Sequence, residues 1–129
     1  MLQKTLYLAA RLLAAVIMFQ TLYFKFGASE ESVYIFTTVG MEPWGRIGVG
    51  TAELVASVLL VINRTAWIGA GIALGLMAGA ILMHLTILGI EVQGDGGYLF
   101  FLAWVVFICA SYVLVSDRER VRGLFQRGR

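Results

Sequence analysis

The sequence has very little of the residue types that build stapled or metal-binding folds. Its 129 residues include one cysteine, Cys109, one proline, Pro43, and one histidine, His84. A single cysteine excludes a disulfide or a dithiol redox motif within one chain, and no Cys/His spacing typical of a zinc site is present. No metal site is therefore expected, and no nucleotide-binding loop or haem ligand pair is found.

Long apolar runs dominate instead. Hydrophobic residues make up 60% of the chain, and the mean hydropathy is +0.85, which is too apolar for a soluble domain of this size. Four stretches approach the ~20 apolar residues with which a helix crosses a bilayer, and they cover residues 5–26, 46–62, 66–89 and 97–115. The sequence predicts one membrane domain over residues 1–129, an all-α, four-helix up-and-down bundle.

The first stretch could instead be a signal peptide, because it begins with Lys4 and continues into an apolar run. However, it continues to Phe26, longer than the apolar region of an ordinary signal, and Arg11 and Gln20 interrupt it. A retained span is the preferred interpretation.

The distribution of charge predicts the orientation. One side of the bundle carries Lys4, Arg64 and a basic tail over residues 116–129, whereas acidic residues dominate the other side, beside Lys25 and Arg46. Basic residues accumulate on the cytoplasmic side of membrane proteins. Both termini are therefore expected in the cytoplasm of a bacterial-type plasma membrane. Because the basic residues flank the spans, the net charge of +2 indicates topology and no nucleic-acid partner.

The connection between the first two spans carries helix signals. Ser29 is a good N-cap, Glu30 and Glu31 follow where the helix dipole favours acids, and Gly40 is a suitable stop. A short interfacial helix is predicted here, with an ordered loop as the alternative.

The third span has glycines at strict four-residue spacing, Gly71, Gly75 and Gly79. Glycines at this spacing let another backbone approach a membrane helix closely. Three interpretations remain open: packing within the bundle, a homodimer seam, or close approach to a flat ligand.

Ionisable residues at membrane depth are costly and tend to pair or to line a polar cavity. Glu53 lies about two turns from one end of the second span, and His84 lies near the same end of the third. We interpret them as a candidate catalytic pair that handles protons, with Glu53 in an ion-pair network. The candidate ligand-binding residues at the same level are Lys25, Arg46, Gln20, Thr51 and Tyr98.

Arg11 stands apart, two turns into the first span from the other end. It could snorkel to headgroups, cap helix carbonyls, or bind a lipid phosphate.

Three segments carry a family resemblance: Phe24-Lys25-Phe26-Gly27, Gly50-Thr51-Ala52-Glu53-Leu54, and Ala80-Ile81-Leu82-Met83-His84. Together with the early arginine, they resemble the DoxX family over nearly the whole chain. The resemblance implies a small four-helix membrane protein. It implies for some members a quinone-linked subunit of thiosulfate oxidation, and for others a link to oxidative stress. The wider fold group includes vitamin K epoxide reductase, from which this chain departs because Cys109 is alone.

Two main functional hypotheses follow. The first is a membrane subunit of a redox system that binds a quinone, the candidate cofactor, or a similar apolar ring in an outer-leaflet polar pocket. The second is a non-catalytic assembly partner or small-molecule carrier, in which the polar cluster only locks the helices together. Transport is a lesser alternative. The expected partners are the lipid bilayer, a redox partner subunit and a second copy of the chain, and whether the protein is an enzyme stays open.

Overall fold

The computed structural model describes residues 2–119 and 122–123. Five α-helices follow one another along this part of the chain, and it contains no strand. They are α1 (Leu2–Phe26), α2 (Glu30–Thr38), α3 (Trp44–Val61), α4 (Ala66–Met83) and α5 (Tyr98–Ser116). A 3-10 turn, Asn63–Thr65, joins α3 to α4, and a π-helical turn, His84–Leu88, extends α4. Of the predicted basic tail, Arg120, Arg127 and Arg129 lie outside the described residues.

The four long helices form a closed ring. Helix α1 packs against α3 and α5, and α4 packs against the same two helices. Short connections reverse the chain at each end, which confirms the predicted all-α, up-and-down bundle. Among the described residues, these four helices are long and apolar enough to cross a membrane. The chain is a multi-pass membrane protein. We call the end of the bundle that carries α2 and residues 89–97 the α2 end, and the end that carries Asn63–Thr65 the turn end.

The short helix α2 begins as the sequence predicts. The side chain of Ser29 accepts a hydrogen bond of 3.2 Å from the backbone N–H of Ser32, which satisfies one free donor of the first turn. The chain leaves the helix through Gly40, whose φ of +76° suits glycine. The helix interpretation is confirmed and the ordered-loop alternative is wrong. The buried side chains of α2, Ser32 and Phe36, turn towards the bundle.

Arg11 caps the C-terminal end of α3. Its side chain is buried, with Nε donating to the carbonyl of Leu60 and Nη2 to that of Val61, both at 2.8 Å. Nη1 reaches the side-chain oxygen of Asn63 at 3.3 Å. Carbonyls in the last turn of a helix have no partner within the helix. Arg11 supplies these partners from α1, so the capping interpretation holds and Arg11 does not extend to headgroups.

Small residues bring the helices together in the half of the bundle near the turn end. The alanines with no exposed surface there are Ala14, Ala56, Ala66, Ala70, Ala73 and Ala110. Gly69 belongs to the same contact, since a Cβ at this position would lie 2.7 Å from the carbonyl oxygen of Ala56. Without larger side chains between them, α3 and α4 approach closely.

The glycine stripe does not make this contact. A Cβ added to Gly71, Gly75 or Gly79 would meet nothing within 4 Å. Packing of these three glycines within the bundle is therefore a wrong prediction. The close approach of α4 to α3 is made by Gly69, which lies outside the four-residue series, while Gly75 and Gly79 line a cavity.

Candidate functional site

The half of the bundle at the α2 end encloses a cavity of about 500 Å³. All five helices contribute to its wall, and most of the wall is apolar. Pockets of this size with a few converging polar groups are typical of small-molecule sites. Helix α2 covers the cavity at this end, with Ser32, Ile35 and Phe36 in the lining.

One wall of the cavity carries an ion pair. Nζ of Lys25 lies 3.1 Å from Oε1 of Glu53 and 3.2 Å from Oε2. The hydroxyl of Thr21 donates to Oε2 of Glu53 at 3.0 Å. Glu53 is 3% exposed, so its carboxylate depends on these partners for stabilisation. The pairing of Glu53 is therefore visible in the geometry, with Lys25 as the partner.

His84 stands on a different wall, at the start of the π-helical turn. Its Nδ1 lies 2.9 Å from the carbonyl oxygen of Gly89. A carbonyl only accepts, so Nδ1 carries a proton and the lone pair of the neutral ring is on Nε2. Among the described residues, Nε2 forms no hydrogen bond. Every fully buried side-chain nitrogen in this part of the chain has a hydrogen-bond partner, so Nε2 is not fully buried. Nε2 is therefore accessible from the cavity.

An aromatic row supports the His84 ring from α5. The ring of Phe100 lies 5.5 Å from the imidazole, and Trp104 lies 6.3 Å further along, edge-on to Phe100. Such contacts hold the imidazole in a fixed orientation. The imidazole and the Lys25–Glu53 ion pair thus line the same cavity from different helices.

The structure brings together some of the predicted site residues. Glu53, His84 and Lys25 line the cavity, and Gln20 and Tyr98 lie at its exposed edge. Glu53 and His84 share the cavity but form no hydrogen bond with each other. They are therefore not a hydrogen-bonded pair in this state of the protein.

Arg46 and Thr51 are not part of the cavity wall. Nε of Arg46 pairs with Glu42 four residues earlier, at 2.9 Å, and its Nη1 donates to the carbonyl of Lys25. The hydroxyl of Thr51 is exposed and donates to the carbonyl of Ile47. Both were predicted to bind the ligand, and the structure places both elsewhere because each has a partner in or beside its own helix.

Sequence reasoning did not identify Thr21, Glu31 and Asp95, which also line the cavity. Thr21 precedes Lys25 by one helical turn, and this spacing was the available signal. Burial, followed by the nearby charge of Asp95, raises the pKa of Glu31. These two carboxylates make the cavity mouth at the α2 end acidic.

Asp95 closes the loop before α5. Its carboxylate accepts hydrogen bonds from the backbone N–H groups of Val92, Gly97 and Leu99 at 3.0, 2.8 and 3.2 Å. Partial burial opposes its ionisation, but these three donors and the nearby His84 outweigh burial and lower the pKa of Asp95. Asp95 therefore stays ionised and holds the loop that carries Gly97.

Within the described part of the chain, no group of three or more His, Cys, Asp or Glu residues is arranged to hold a metal ion.

A four-helix membrane bundle with an ion pair and an imidazole facing one cavity defines a class of small integral membrane protein. The chain belongs to the DoxX family, whose sequence pattern matches residues 6–86. This segment contains Lys25, Glu53 and His84 but not α5. No curated protein and no solved structure matches the chain.

Proposed function

We propose that this protein is the membrane-embedded subunit of a redox system and that its cavity binds a quinone or a similar ring with polar oxygens. The observation that carries the proposal is the placement of the Lys25–Glu53 pair and the His84 imidazole on separate walls of one apolar cavity. Membership of the DoxX family, whose members are small membrane proteins, agrees with a link to redox or stress functions.

The polar groups match what such a ring requires. A quinone has a flat apolar ring and two carbonyl oxygens on opposite sides, each of which accepts hydrogen bonds. The Lys25 ammonium would donate a hydrogen bond to a ring oxygen from one wall, and the lone pair on Nε2 of His84 would accept one from a hydroxyl of the reduced ring at the other. The apolar lining, which includes Met77 and Leu102, covers the ring faces.

The same groups can supply protons. Reduction of a quinone to a quinol takes up two electrons and two protons. The Nδ1–H of His84 and the ammonium of Lys25, which donates to Glu53 and Thr21, are the nearest proton donors in the cavity wall. The electrons are assigned to a partner subunit that carries a redox centre, since Cys109 alone cannot form a dithiol.

We place the cavity in the outer half of the membrane. Lys4, Arg64 and Arg118 lie at the turn end, and the acidic residues Glu31 and Asp95 lie at the α2 end. Under the positive-inside rule, both termini are cytoplasmic, and proton exchange takes place with the outer aqueous phase.

The test uses the purified protein in nanodiscs, titrated with 2,3-dimethoxy-5-methyl-1,4-benzoquinone in a calorimeter. Glu53→Gln and His84→Asn are the two diagnostic variants. Asn keeps a donor where Nδ1 bonds Gly89 and removes Nε2. We expect each variant to weaken binding at least ten-fold, or about 1.4 kcal/mol.

Glu42→Gln is the matched control, because Glu42 forms an ion pair outside the cavity. It should leave binding unchanged. Absence of binding to the unmodified protein, or equal binding by all three variants, contradicts the proposal.

One observation favours the non-catalytic alternative. All buried side-chain polar atoms among the described residues have a partner within the chain, and the Lys25–Glu53 pair joins α1 to α3. An ion pair of this kind can serve only to align helices. In that case Glu53→Gln lowers stability and leaves any binding of the benzoquinone unchanged.

A further inference from the structure

The cavity reaches the surface at a small number of points. Of the described residues that line it, four are exposed, and these are Gln20, Phe24, Gly75 and Tyr98. Gln20 and Phe24 belong to α1, and Tyr98 belongs to α5. Three of the four therefore belong to α1 and α5, the two helices between which we place the opening, and Gly75 of α4 is the exception. Gln20 also borders a second, apolar groove that contains Ser57 and Val58 of α3.

Part of this opening lies below the end of the bundle. Gln20 precedes the end of α1 at Phe26 by six residues, which corresponds to about 9 Å at ~1.5 Å per residue. On the α5 side the lining continues past Tyr98 to Leu102 and Val106, two turns into the helix. The cavity behind the opening thus extends two turns along α5, where Val106 is buried.

The approach from water is obstructed by comparison. Helix α2 lies across the α2 end with Phe36, 6% exposed, and buried Ser32 over the cavity. Glu31 and Asp95 make that mouth acidic, and ionised carboxylates disfavour the passage of an apolar molecule.

On these grounds we propose that the ligand enters sideways from the bilayer through the gap between α1 and α5, and that it carries an apolar tail which stays in this gap when the head is bound. The proposal rests on the proposed function and narrows it to membrane-dissolved amphiphiles with an isoprenoid or alkyl tail. Gln20 lies where the head and the tail would join. Its amide can hydrogen-bond a head oxygen while its methylenes contact the tail.

The experiment compares two probes with the same head, 2,3-dimethoxy-5-methyl-1,4-benzoquinone and its 6-decyl derivative, by calorimetry in nanodiscs with blank nanodiscs subtracted. Gln20→Trp places a bulky ring in the gap, where it competes with the tail for space. We expect the affinity ratio of the decyl probe to the tail-less probe to fall about ten-fold, equivalent to about 1.4 kcal/mol. Tyr98→Ala widens the gap and should speed association of the decyl probe.

One control and one competing variant locate the opening. Leu13→Trp adds the same ring to the exposed surface of α1 away from the cavity and should not change the ratio. Gly75→Leu obstructs the exposed lining residue of α4 and tests the alternative opening there.

An unchanged ratio in Gln20→Trp overturns the lateral route, and so does a fall in Gly75→Leu alone. In both cases the tail-less probe still binds and the proposed function stands. If the unmodified protein binds neither probe, the proposed function fails and the lateral route fails with it.

Discussion

Lys25 and Glu53, 28 residues apart in the sequence, form a buried ion pair that joins α1 to α3 beside the cavity. Their side chains are 16% and 4% exposed. Because water is largely excluded, each charge depends on the other, and the pair links helix alignment to the chemistry of the site.

Removal of Glu53 alone should therefore be costly. Glu53→Ala leaves the Lys25 ammonium buried without its carboxylate, and we expect a loss of about 3–5 kcal/mol in the free energy of unfolding. Glu53→Gln should lose less, since an oxygen remains for the Thr21 hydroxyl. The double variant Lys25→Met, Glu53→Leu should recover most of the loss. Denaturation in mixed micelles measures these values, with exposed Glu91→Ala as control. Equal losses in the single and double variants would contradict this account.

Gly69 and Gly71 provide a matched pair on α4. A methyl group at Gly69 would lie 2.7 Å from a carbonyl oxygen and 2.8 Å from a backbone nitrogen of α3, whereas one at Gly71 meets nothing within 4 Å. We expect Gly69→Ala to cost about 1–3 kcal/mol through overpacking and Gly71→Ala to be neutral or slightly stabilising. Melting temperatures in detergent distinguish the two. A melting temperature of Gly69→Ala at or above that of the unmodified protein would show that α3 and α4 can separate freely.

Replacement of Arg11 by lysine should not be conservative. Three separate nitrogens of the guanidinium donate hydrogen bonds to the carbonyls of Leu60 and Val61 and to the side chain of Asn63. A lysine ammonium cannot reproduce this planar arrangement of donors. With buried carbonyls left unpaired, Arg11→Lys should cost about 1–3 kcal/mol. The exposed Arg64 at the same end supplies the control Arg64→Lys, which should leave the melting temperature unchanged. Similar values for both variants would mean that the caps are dispensable.

Asp95 should make stability depend on acid pH. Its pKa is lowered in the folded protein, so the folded state binds fewer protons than the unfolded chain near pH 4. The stabilisation is present above the unfolded aspartate pKa of about 3.9 and disappears as the pH falls through the lower native value. Melting temperatures recorded from neutral pH to pH 2.5 should show this loss, and Asp95→Asn should flatten the acid limb. An unchanged acid limb in Asp95→Asn would assign the dependence to other groups.

The orientation is open to cysteine labelling in a Cys109→Ser background. Thr37 on α2 and Arg64 in the 3-10 turn are exposed and lie at opposite ends. Ser32, also on α2, is buried and would not react with the reagent, so it is not used as a labelling site. An impermeant maleimide added to intact cells should label Thr37→Cys but not Arg64→Cys. The reverse pattern would invert the topology and place the cavity in the cytoplasmic half.

Much of the fold follows from patterns that act within one helix. Apolar length determines the four long helices, and Ser29 with Gly40 sets the limits of α2 because capping and positive φ are local properties. The convergence of Glu53 and His84 on one cavity follows from counting turns from a common end of the bundle. These features can therefore be predicted from the sequence alone.

The features that sequence reasoning missed depend on partners between helices. Arg46 could be assigned to Glu53, seven residues later, or to Glu42, four residues earlier, and the closer i,i+4 partner was the correct one. Regular spacing suggested Gly71, Gly75 and Gly79 as the packing face, whereas Gly69 makes the contact. Which face of α4 meets α3 depends on how the helix is rotated in the bundle. Spacing within one helix does not determine that rotation.

Because of the π-helical turn at His84–Leu88, the surroundings of the imidazole depend on the number of residues in this segment as well as on their types. Such a turn accommodates one residue more than an α-helical turn of the same rise. Deletion of Thr86 would remove this extra residue, so that Gly89 would follow His84 by four positions instead of five. The contact between Nδ1 and the carbonyl of Gly89 depends on the longer spacing and would be lost or rebuilt, although every residue of the site would still be present. In comparisons between relatives, a one-residue gap after this histidine would therefore mark a change of site, even where the histidine itself is retained.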